Sequence, residues 1–475
     1  MMPRVILLLI AGIAGLILSA GCNSDAKKPS DHPNIIFILA DDMGYGDAGC
    51  YNPESGIPTP NIDRLAAEGM RFSNAHSPGS WCVPSRYGLL TGQYPIRRDM
   101  SLQKEKCLID PGQPTIATVL KKHGYFTICI GKWHLGFDNF SNADYRQPLT
   151  GGPIDHGFDY FFGMHASLDI PPYFYIENDH AVEPPTDSIE ASHSGDWTRI
   201  QGAFWRAGKI APGFVHEQVL PAFLNKSTEL IETRADDQPF FLYLALSGPH
   251  TPWLPEKKFT NKSRAGLYGD FVVQIDQVVG EILQKLDDLA LAGNTLIIFT
   301  SDNGPVWYPQ DEKRFHHESN GLLRGMKADL LEGGHRMPFI ARWPGNIKAG
   351  SVSDEVICFT DMLATFAALV NDTLPGGSIY DSYNLLPVLR GEPYPGPLHK
   401  ETIVMNHVIF EDKWKLIEGS GYGGLHFLFS KEGKPPQKSA GELYDIFADP
   451  GEQQNLYKKH PEIVKKLSED LQGFK

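Results

Sequence analysis

Short apolar runs alternate along this chain with segments in which apolar residues recur at helical spacing. The runs resemble buried strands and lie at residues 34–40 (NIIFILA), 126–130, 240–246 and 295–300. Residues 61–69 predict a helix that ends at a glycine, and residues 267–291 predict a long helix. This alternation predicts an α/β fold whose largely parallel sheet is covered by helices on both faces.

Two stretches depart from this alternation. Residues from about 137 to 234 are rich in Pro, Gly and aromatic residues without clear periodicity, which is typical of a long insertion that carries specificity. The run Pro375-Gly376-Gly377 marks a boundary, after which residues 402–410 and 414–417 predict strands of a small antiparallel sheet. A last helix is predicted from Glu462. We therefore assign residues 34–375 to a main domain and residues 376–475 to a C-terminal subdomain.

The N-terminus has the character of an export signal and not of folded structure. Arg4 precedes an apolar or small run over residues 5–20, which is short for a membrane span. It ends in Leu18-Ser19-Ala20-Gly21-Cys22, which resembles a bacterial lipobox although Ser19 stands where Leu is usual. We expect residues 1–22 to be the signal, residues 23–33 a polar linker, and the protein a periplasmic or cell-surface lipoprotein anchored through Cys22. Plain secretion is the alternative.

Composition and net charge limit the classes of protein to which this chain can belong. The chain is 41% apolar and 21% charged, as a folded soluble protein is, and its formal net charge is −14. So acidic a protein is a poor nucleic-acid binder, although a local cationic pocket can still hold an anionic substrate. Apart from Cys22 and Cys82, the scattered residues Cys50, Cys107, Cys129 and Cys358 do not form a disulfide framework. The sequence does not decide whether a single disulfide forms among these four.

Polar clusters follow all four predicted strands. In order, they contain Asp41-Asp42, Lys132 with His134, His250, and Asp302-Asn303. Ligands bind outside the carboxyl ends of parallel strands, so we expect these side chains to meet in one site. A single Asp or Asn at a strand end often only caps a turn, but four such clusters are hard to explain as turns.

The chemistry of these clusters indicates an anion site with a hard cation. Asp41, Asp42, Asp302 and Asn303 offer oxygen ligands, which suit Ca²⁺, or alternatively Mg²⁺, better than zinc. Positive charge and proton donors for a tetrahedral anion would come from Arg86, Lys132, His134, His250 and Lys327. We interpret His123, His316 and His317 as structural residues.

The most specific signal is the run Cys82-Val83-Pro84-Ser85-Arg86, which we place at a helix N-terminus, where backbone N–H groups favour an anion. It resembles the Cys-x-Pro-Ser-Arg signature of the formylglycine-dependent sulfatases of the alkaline phosphatase superfamily, and continues as Leu89-Leu90-Thr91-Gly92. A second signature of that family matches residues 124–134. Further matches follow in the expected order at residues 248–250, 301–304, 324–327, 332–334, 442–445 and 449–456. The resemblance spans nearly the whole chain after Asn34; Trp81 and Val83 are its minor departures.

The resemblance implies an alkaline phosphatase-like fold, a catalytic domain over residues 34–375 and sulfate-ester hydrolysis. A maturation enzyme that reads Pro84 and Arg86 would oxidise Cys82 to formylglycine, whose hydrated form attacks sulfur and contributes a metal ligand. The remaining roles are also carried over by resemblance: Lys132 and Lys327 hold the sulfate, His250 protonates the leaving alcohol, His134 removes a proton from the second hydroxyl, Arg86 orients the diol, and Asp302 could act as a base.

Three rival interpretations compete with this one. Phosphatases of the same fold use Ser or Thr with two zinc ions and several His ligands, whereas phosphonate hydrolases can share formylglycine. A catalytically dead glycan-binding lipoprotein would lack a key residue, and none is missing. For the substrate we expect a sulfated carbohydrate, attacked at a chain end, because aromatic residues of the insertion suit stacking on sugar rings. His165, Asp169 and Tyr173 are the candidate sugar contacts; the same residues could equally be structural.

Overall fold

The core of the protein is an 11-stranded mixed sheet. It is seen in a computed structural model that describes residues 32–234, 238–374, 380–425 and 439–474. The strands are β1 (Asn34–Asp41), β2 (Met70–His76), β3 (Phe126–Lys132), β4 (Tyr160–Met164), β5 (Ile176–Glu177), β6 (His180–Ala181), β7 (Asp187–Ile189), β8 (Gly208–Ile210), β9 (Phe240–Pro249), β10 (Thr295–Ser301), β11 (Arg336–Arg342), β12 (Ser351–Ser353) and β13 (Ile357–Cys358). Strands β7 and β8 form a separate pair.

The sheet has the order β12-β2-β11-β10-β1-β9-β3-β4-β5-β6, with β13 beside β2. Its centre, β10-β1-β9-β3-β4, is parallel, whereas β11 runs antiparallel to both of its neighbours. Strand β1 is buried along all of its 8 residues, because it lies in the middle of the sheet. The four strands expected from their apolar runs are confirmed, and so is the mostly parallel sheet.

Helices cover this sheet in two groups. They are α1 (Pro60–Glu68), α2 (Cys82–Thr91), α3 (Ile116–Lys122), α4 (Val219–Arg234), α5 (Gly266–Asp288), α6 (Pro309–Phe315), α7 (Glu332–His335), α8 (Asp361–Leu369) and α9 (Leu386–Arg390). Helices α1, α4 and α5 pack together, as do α2, α3 and α8. The start of α1 is held by α5, since the Asp276 carboxylate accepts the N–H groups of Asn61 and Ile62 at 3.0 and 2.8 Å. Asp276 thus satisfies N–H groups that an N-cap side chain of α1 would otherwise bind.

The small antiparallel sheet is confirmed as well. It contains β14 (Glu401–Val404), β15 (Val408–Glu411), β16 (Trp414–Glu418) and β17 (Gly441–Asp445), and α10 (Pro461–Phe474) packs on β15 and β16. Residues 402–410 form a hairpin and not one strand, because Met405 turns the chain in a left-handed conformation (φ 56°). The boundary at Pro375-Gly376-Gly377, the export signal with Cys22 and most of the linker lie outside the described residues, so these stay predictions.

The buried ammonium group of Lys415 links the small sheet to the main sheet. Lys415 of β16 places its Nζ 2.8 Å from Glu332 Oε1 and 2.7 Å from Glu452 Oε1, with all three side chains inaccessible to solvent. The same Nζ lies 3.0 Å from His335 Nε2. An ammonium group only donates, so His335 carries its proton on Nδ1 and donates it to His76 Nδ1, 3.1 Å away on β2. Burial lowers the pKa of His76 to about 3 and that of His335 well below its usual value, so both rings are neutral.

Two further observations bear on the sequence analysis. All five described cysteines are free, so the bridge left open among Cys50, Cys107, Cys129 and Cys358 is not formed. Among the residues that the structure describes, no helix is long and apolar enough to cross a membrane.

Candidate active site

The polar side chains predicted to meet do meet, at the carboxyl edge of the parallel strands. Asp41, the last residue of β1, accepts a 2.6 Å hydrogen bond from Lys132 at the end of β3. Asp42 donates its N–H to Asp302 Oδ1 (3.2 Å) and accepts a 2.7 Å bond from Asn303 Nδ2. Asp42 has a φ of 69°, a left-handed conformation that is unusual for a residue other than glycine. Such strain is typical of functional sites.

Helix α2 brings Cys82 and Arg86 to this edge. Cys82 is its first residue, with Sγ 3.5 Å from Asp41 Oδ1 and 3.4 Å from Lys327 Nζ. Arg86 lies one turn later on the same face of the helix. Its Nε and Nη2 donate to Asp302 Oδ2 at 3.1 and 2.7 Å, and its Nη1 donates to the Lys132 carbonyl at 3.0 Å. One buried guanidinium thus fixes the ends of β3 and β10 against the helix that carries Cys82.

Burial and nearby charges set the protonation states of Asp41 and Cys82. Burial would raise the pKa of Asp41, but Lys132, His250, Arg86 and Lys327 hold it well below its usual range. Burial raises the pKa of Cys82 to about 12, although Lys132 and Lys327 oppose the shift. The thiol is therefore protonated at neutral pH and is a poor nucleophile as it stands.

His134 and His250 face the same region in different ways. Burial, followed by the charges of Lys132 and Arg86, holds the pKa of His134 well below its usual value, so the ring is neutral. Its buried Nδ1 has no hydrogen-bond partner among the described residues. His250 Nδ1 lies 2.7 Å from the Thr251 carbonyl, which only accepts, so Nδ1 carries a proton. Its Nε2 lies 3.7 Å from Asp42 Oδ2.

The oxygen-bearing side chains fit a hard divalent cation. Asp41, Asp42, Asp302 and Asn303 are all buried, and Asn303 Oδ1 has no hydrogen-bond partner among the described residues. A buried, unsatisfied carbonyl oxygen beside carboxylates is the donor set that Ca²⁺ and Mg²⁺ accept. Ligand atoms of Asp41, Asp42, Cys82 and His250 also lie within 4.8 Å of one another. His250 thus lies directly beside the candidate cation site.

A cavity of about 640 Å³ opens above Cys82. Its polar end is lined by Asp42, Cys82, His134, His250 and Lys327. The rest of the wall is mixed, with polar residues such as Asp169 and Arg206 beside apolar side chains that include Trp81, Met100, Ile200, Phe204, Val306 and Leu425. Trp81 is 41% exposed although it directly precedes the buried Cys82. In the sequence, Trp81 stands out only as a departure from the signature, and its position beside Cys82 is the one signal that it lines the cavity.

Of the three candidate sugar contacts, the structure places only Asp169 on the cavity wall. Arg206, which also lines the cavity, pairs with Asp169 Oδ2. The buried Oδ1 has no hydrogen-bond partner among the described residues and lies 4.0 Å from His250 Nδ1. Asp169 thus lines the cavity with its carboxylate close to His250.

His165 and Tyr173 are engaged elsewhere. The His165 ring packs on Phe140 with centroids 4.6 Å apart, and its Nε2 lies 3.1 Å from the Pro172 carbonyl. The buried Tyr173 donates to the Arg206 carbonyl at 2.7 Å. Neither residue lines the cavity, so their geometry favours the structural alternative. The aromatic residues Phe174, Tyr175 and Trp197 likewise pack against other rings.

The histidines interpreted as structural do not line the catalytic cavity. His317 is buried, accepts the Gly56 N–H on Nδ1 at 3.1 Å and lies 2.8 Å from Asp47 through Nε2. His123 ends α3 and lies 3.0 Å from Asp372. His316 ends α6 in a left-handed conformation.

A buried cysteine at a helix N-terminus, between lysines and carboxylates at the edge of this sheet, defines the class of protein. The family model described as Sulfatase matches residues 33–372, and the chain belongs to the sulfatase family. The fold is alkaline phosphatase-like, and the activity is that of a sulfuric ester hydrolase.

Particular relatives match over most of their length. The chain is 35% identical over 510 residues to an N-acetylgalactosamine-6-O-sulfatase of Bacteroides thetaiotaomicron, with 98% of each chain covered. It is 35% identical over 377 residues to human N-acetylgalactosamine-6-sulfatase, which covers 77% of this chain and 67% of the human one. A solved structure from work on the metabolism of multiple glycosaminoglycans by Bacteroides thetaiotaomicron superposes with a TM-score of 0.82 at 34% identity, covering 94% of this chain and 99% of the other.

Proposed function

We propose that this sulfatase removes the 6-O-sulfate of N-acetylgalactosamine at the end of a sulfated glycan, using a formylglycine made from Cys82 and a divalent cation, preferably calcium. Two relatives that are 35% identical carry N-acetylgalactosamine-6-sulfatase names, and one of them is covered over 98% of its length. The cavity of about 640 Å³ is in the range that encloses a small ligand, which favours a chain end over the middle of a polymer.

The observation that carries the chemistry is the position of Cys82 Sγ, 3.4 Å from Lys327 Nζ and 3.5 Å from Asp41 Oδ1. Oxidised and hydrated, residue 82 would supply a hydroxyl nucleophile that the protonated thiol cannot replace. The cation, held by Asp41, Asp42, Asp302 and Asn303, would supply positive charge for the sulfate oxygens.

The other roles belong to side chains that line the cavity or lie buried beside it. Lys327 and Lys132 would bind sulfate oxygens, since both ammonium groups lie beside the carboxylates that meet at Cys82. His250 would donate a proton to the leaving sugar oxygen, and the neutral His134 would accept one from the hydrated residue 82. Arg86 would keep residue 82 in place through its two hydrogen bonds to Asp302 Oδ2.

Sugar recognition would rest on two features of the wall. The Asp169 carboxylate lines the cavity and would accept a hydrogen bond from a sugar hydroxyl, and its partner Arg206 fixes its orientation. The exposed ring of Trp81 offers an apolar surface for a sugar face or for the N-acetyl methyl group. Both would bind substrate without touching sulfate.

The decisive experiment compares sulfate release from N-acetylgalactosamine 6-sulfate, N-acetylgalactosamine 4-sulfate and N-acetylglucosamine 6-sulfate. Hydrolysis of an aryl sulfate against that of an aryl phosphonate monoester tests the phosphonate hydrolase alternative. We expect the first compound to give the highest kcat/KM and the Cys82→Ala protein to release no sulfate from it. Preference for another sulfated position or sugar would overturn the substrate. Faster phosphonate hydrolysis would overturn the assigned reaction.

For location we propose export with lipidation of Cys22. The N-terminal signal pattern supports this proposal. Cell fractionation of the native chain and of Cys22→Ser tests it: the native chain should stay with membranes and the variant should be released. Equal release of both chains would favour plain secretion.

A further inference from the structure

Lys327, which is proposed to hold sulfate, belongs to a loop and not to a helix or strand, yet it is only 8% exposed. Its own N–H donates to the Pro305 carbonyl at 3.0 Å. The next residue, Ala328, has a φ of 68° and donates to the Ser80 carbonyl at 2.7 Å, two residues before Cys82. The backbone of this loop is thus bonded directly to the turn that presents the nucleophile.

The opposite side of the loop is held by a segment of the C-terminal subdomain, residues 421–425. The Asp329 carboxylate is completely buried and accepts the Met326 N–H on Oδ2 at 3.0 Å and the Gly423 N–H on Oδ1 at 2.6 Å. Leu330 donates to the Gly421 carbonyl at 2.7 Å. Asp329 therefore joins the residue before Lys327 to the C-terminal segment through one side chain.

This segment fits closely on the loop and reaches the cavity. A Cβ at Gly423 would lie 1.8 Å from the Ala328 carbonyl oxygen, so only glycine allows the two backbones to approach so closely. Leu425, two residues further on, is part of the cavity wall. The same five-residue segment thus contacts both the loop of Lys327 and the cavity.

We infer that Asp329 is a positioning residue, which clamps residues 421–425 onto the loop of Lys327 so that the C-terminal subdomain sets the position of the sulfate-binding ammonium group. This inference rests on the proposed role of Lys327. The Asp42 carboxylate holds Lys327 Nζ at 2.6 and 2.8 Å, but a lysine side chain is flexible, and its reach towards Cys82 also depends on a backbone that is fixed from both sides. A displacement of about 1 Å in an active site can cost on the order of 100-fold in rate.

The first test is Asp329→Asn, which keeps the size of the side chain but loses one acceptor. The matched control is Asp361→Asn: Asp361 is equally buried, accepts the Cys358 and Tyr383 N–H groups at 2.8 and 3.0 Å, and does not line the cavity. We measure kcat and KM on an aryl sulfate, the inhibition constant of inorganic sulfate, and the unfolding midpoint in urea. Both variants should lose stability, but only Asp329→Asn should weaken sulfate inhibition and lower kcat/KM by about 10-fold or more.

The second test approaches the loop from the subdomain. Gly423→Ala should push on Ala328 and weaken sulfate inhibition, whereas Gly473→Ala, whose new Cβ meets nothing within 4 Å, should behave like the native enzyme. If Asp329→Asn does not fold, Gly423→Ala decides the question.

Failure of the inference and failure of the proposed function are distinguishable. Lys327→Ala with native sulfate inhibition would refute the proposed role of Lys327. Impaired inhibition in Lys327→Ala together with native values in folded Asp329→Asn and Gly423→Ala would overturn the positioning role alone.

Discussion

Replacement of Lys415 by methionine should destabilise the protein strongly. The change removes the buried cation that lies 2.8 Å from Glu332 and 2.7 Å from Glu452, and it leaves Glu452 without that partner. Breaking a buried ion pair from one side costs roughly 3–5 kcal/mol, a large share of a typical free energy of unfolding of about 5–15 kcal/mol. The matched control is Lys413→Met on the same strand hairpin: Lys413 is 47% exposed and pairs with Asp445, so its loss should cost below about 1 kcal/mol.

The assay is urea unfolding of both variants and the native chain at several pH values. In Lys415→Met the buried carboxyl groups should have raised pKa values, so their stability is present at low pH and lost as the pH rises through those values. The gap between native chain and variant should therefore be wider at pH 8 than at pH 5. Loss of Lys415 also removes a charge that lowers the pKa of the buried His335, so protonated His335 should stabilise the variant at low pH and narrow the gap further at pH 5. A Lys415→Met protein as stable as the native chain at pH 8 would refute the reasoning.

Three further predictions concern the site. Protein matured in a competent host should carry a hydrazide-reactive aldehyde at residue 82, detectable by mass spectrometry, and Cys82→Ala should lose both aldehyde and turnover; activity retained in that variant would contradict the mechanism. Asp302→Asn should lose activity and bound cation together, and elemental analysis that found stoichiometric zinc would contradict the ligand assignment. His250→Ala should depress hydrolysis of a sugar sulfate far more than that of an aryl sulfate, whose acidic leaving group needs little protonation; equal losses in kcat/KM would assign His250 another role.

The polar residues that surround Cys82 could be predicted from the sequence, because most of them lie at the ends of strands. Asp41, Lys132, His250 and Asp302 each come directly after or at the end of a buried apolar run, and parallel strands bring such residues to one edge. Arg86 could be placed because it lies one helical turn beyond Cys82.

The wall of the cavity was harder to predict, because it is built by segments without periodicity. Asp169 and Tyr173 stand close together in the insertion, yet one lines the cavity and the other bonds to the Arg206 carbonyl. No local pattern separates two such residues; the packing of the insertion decides it. Leu425 reaches the cavity from the C-terminal subdomain, and nothing in its neighbourhood in the sequence points to Cys82.

The burial of Cys82 also imposes an order of events. In the folded chain Cys82 is 4% exposed, and Arg86 is sealed and bound to Asp302. Both the atom to be oxidised and the side chain that a modifying enzyme would read are therefore hidden once the sheet and α2 have come together. The oxidation of residue 82 that we propose would therefore have to precede folding, and each newly made chain would pass through a limited period in which it can become an enzyme. A chain that folds too early would keep its thiol, adopt the same structure and stay inactive.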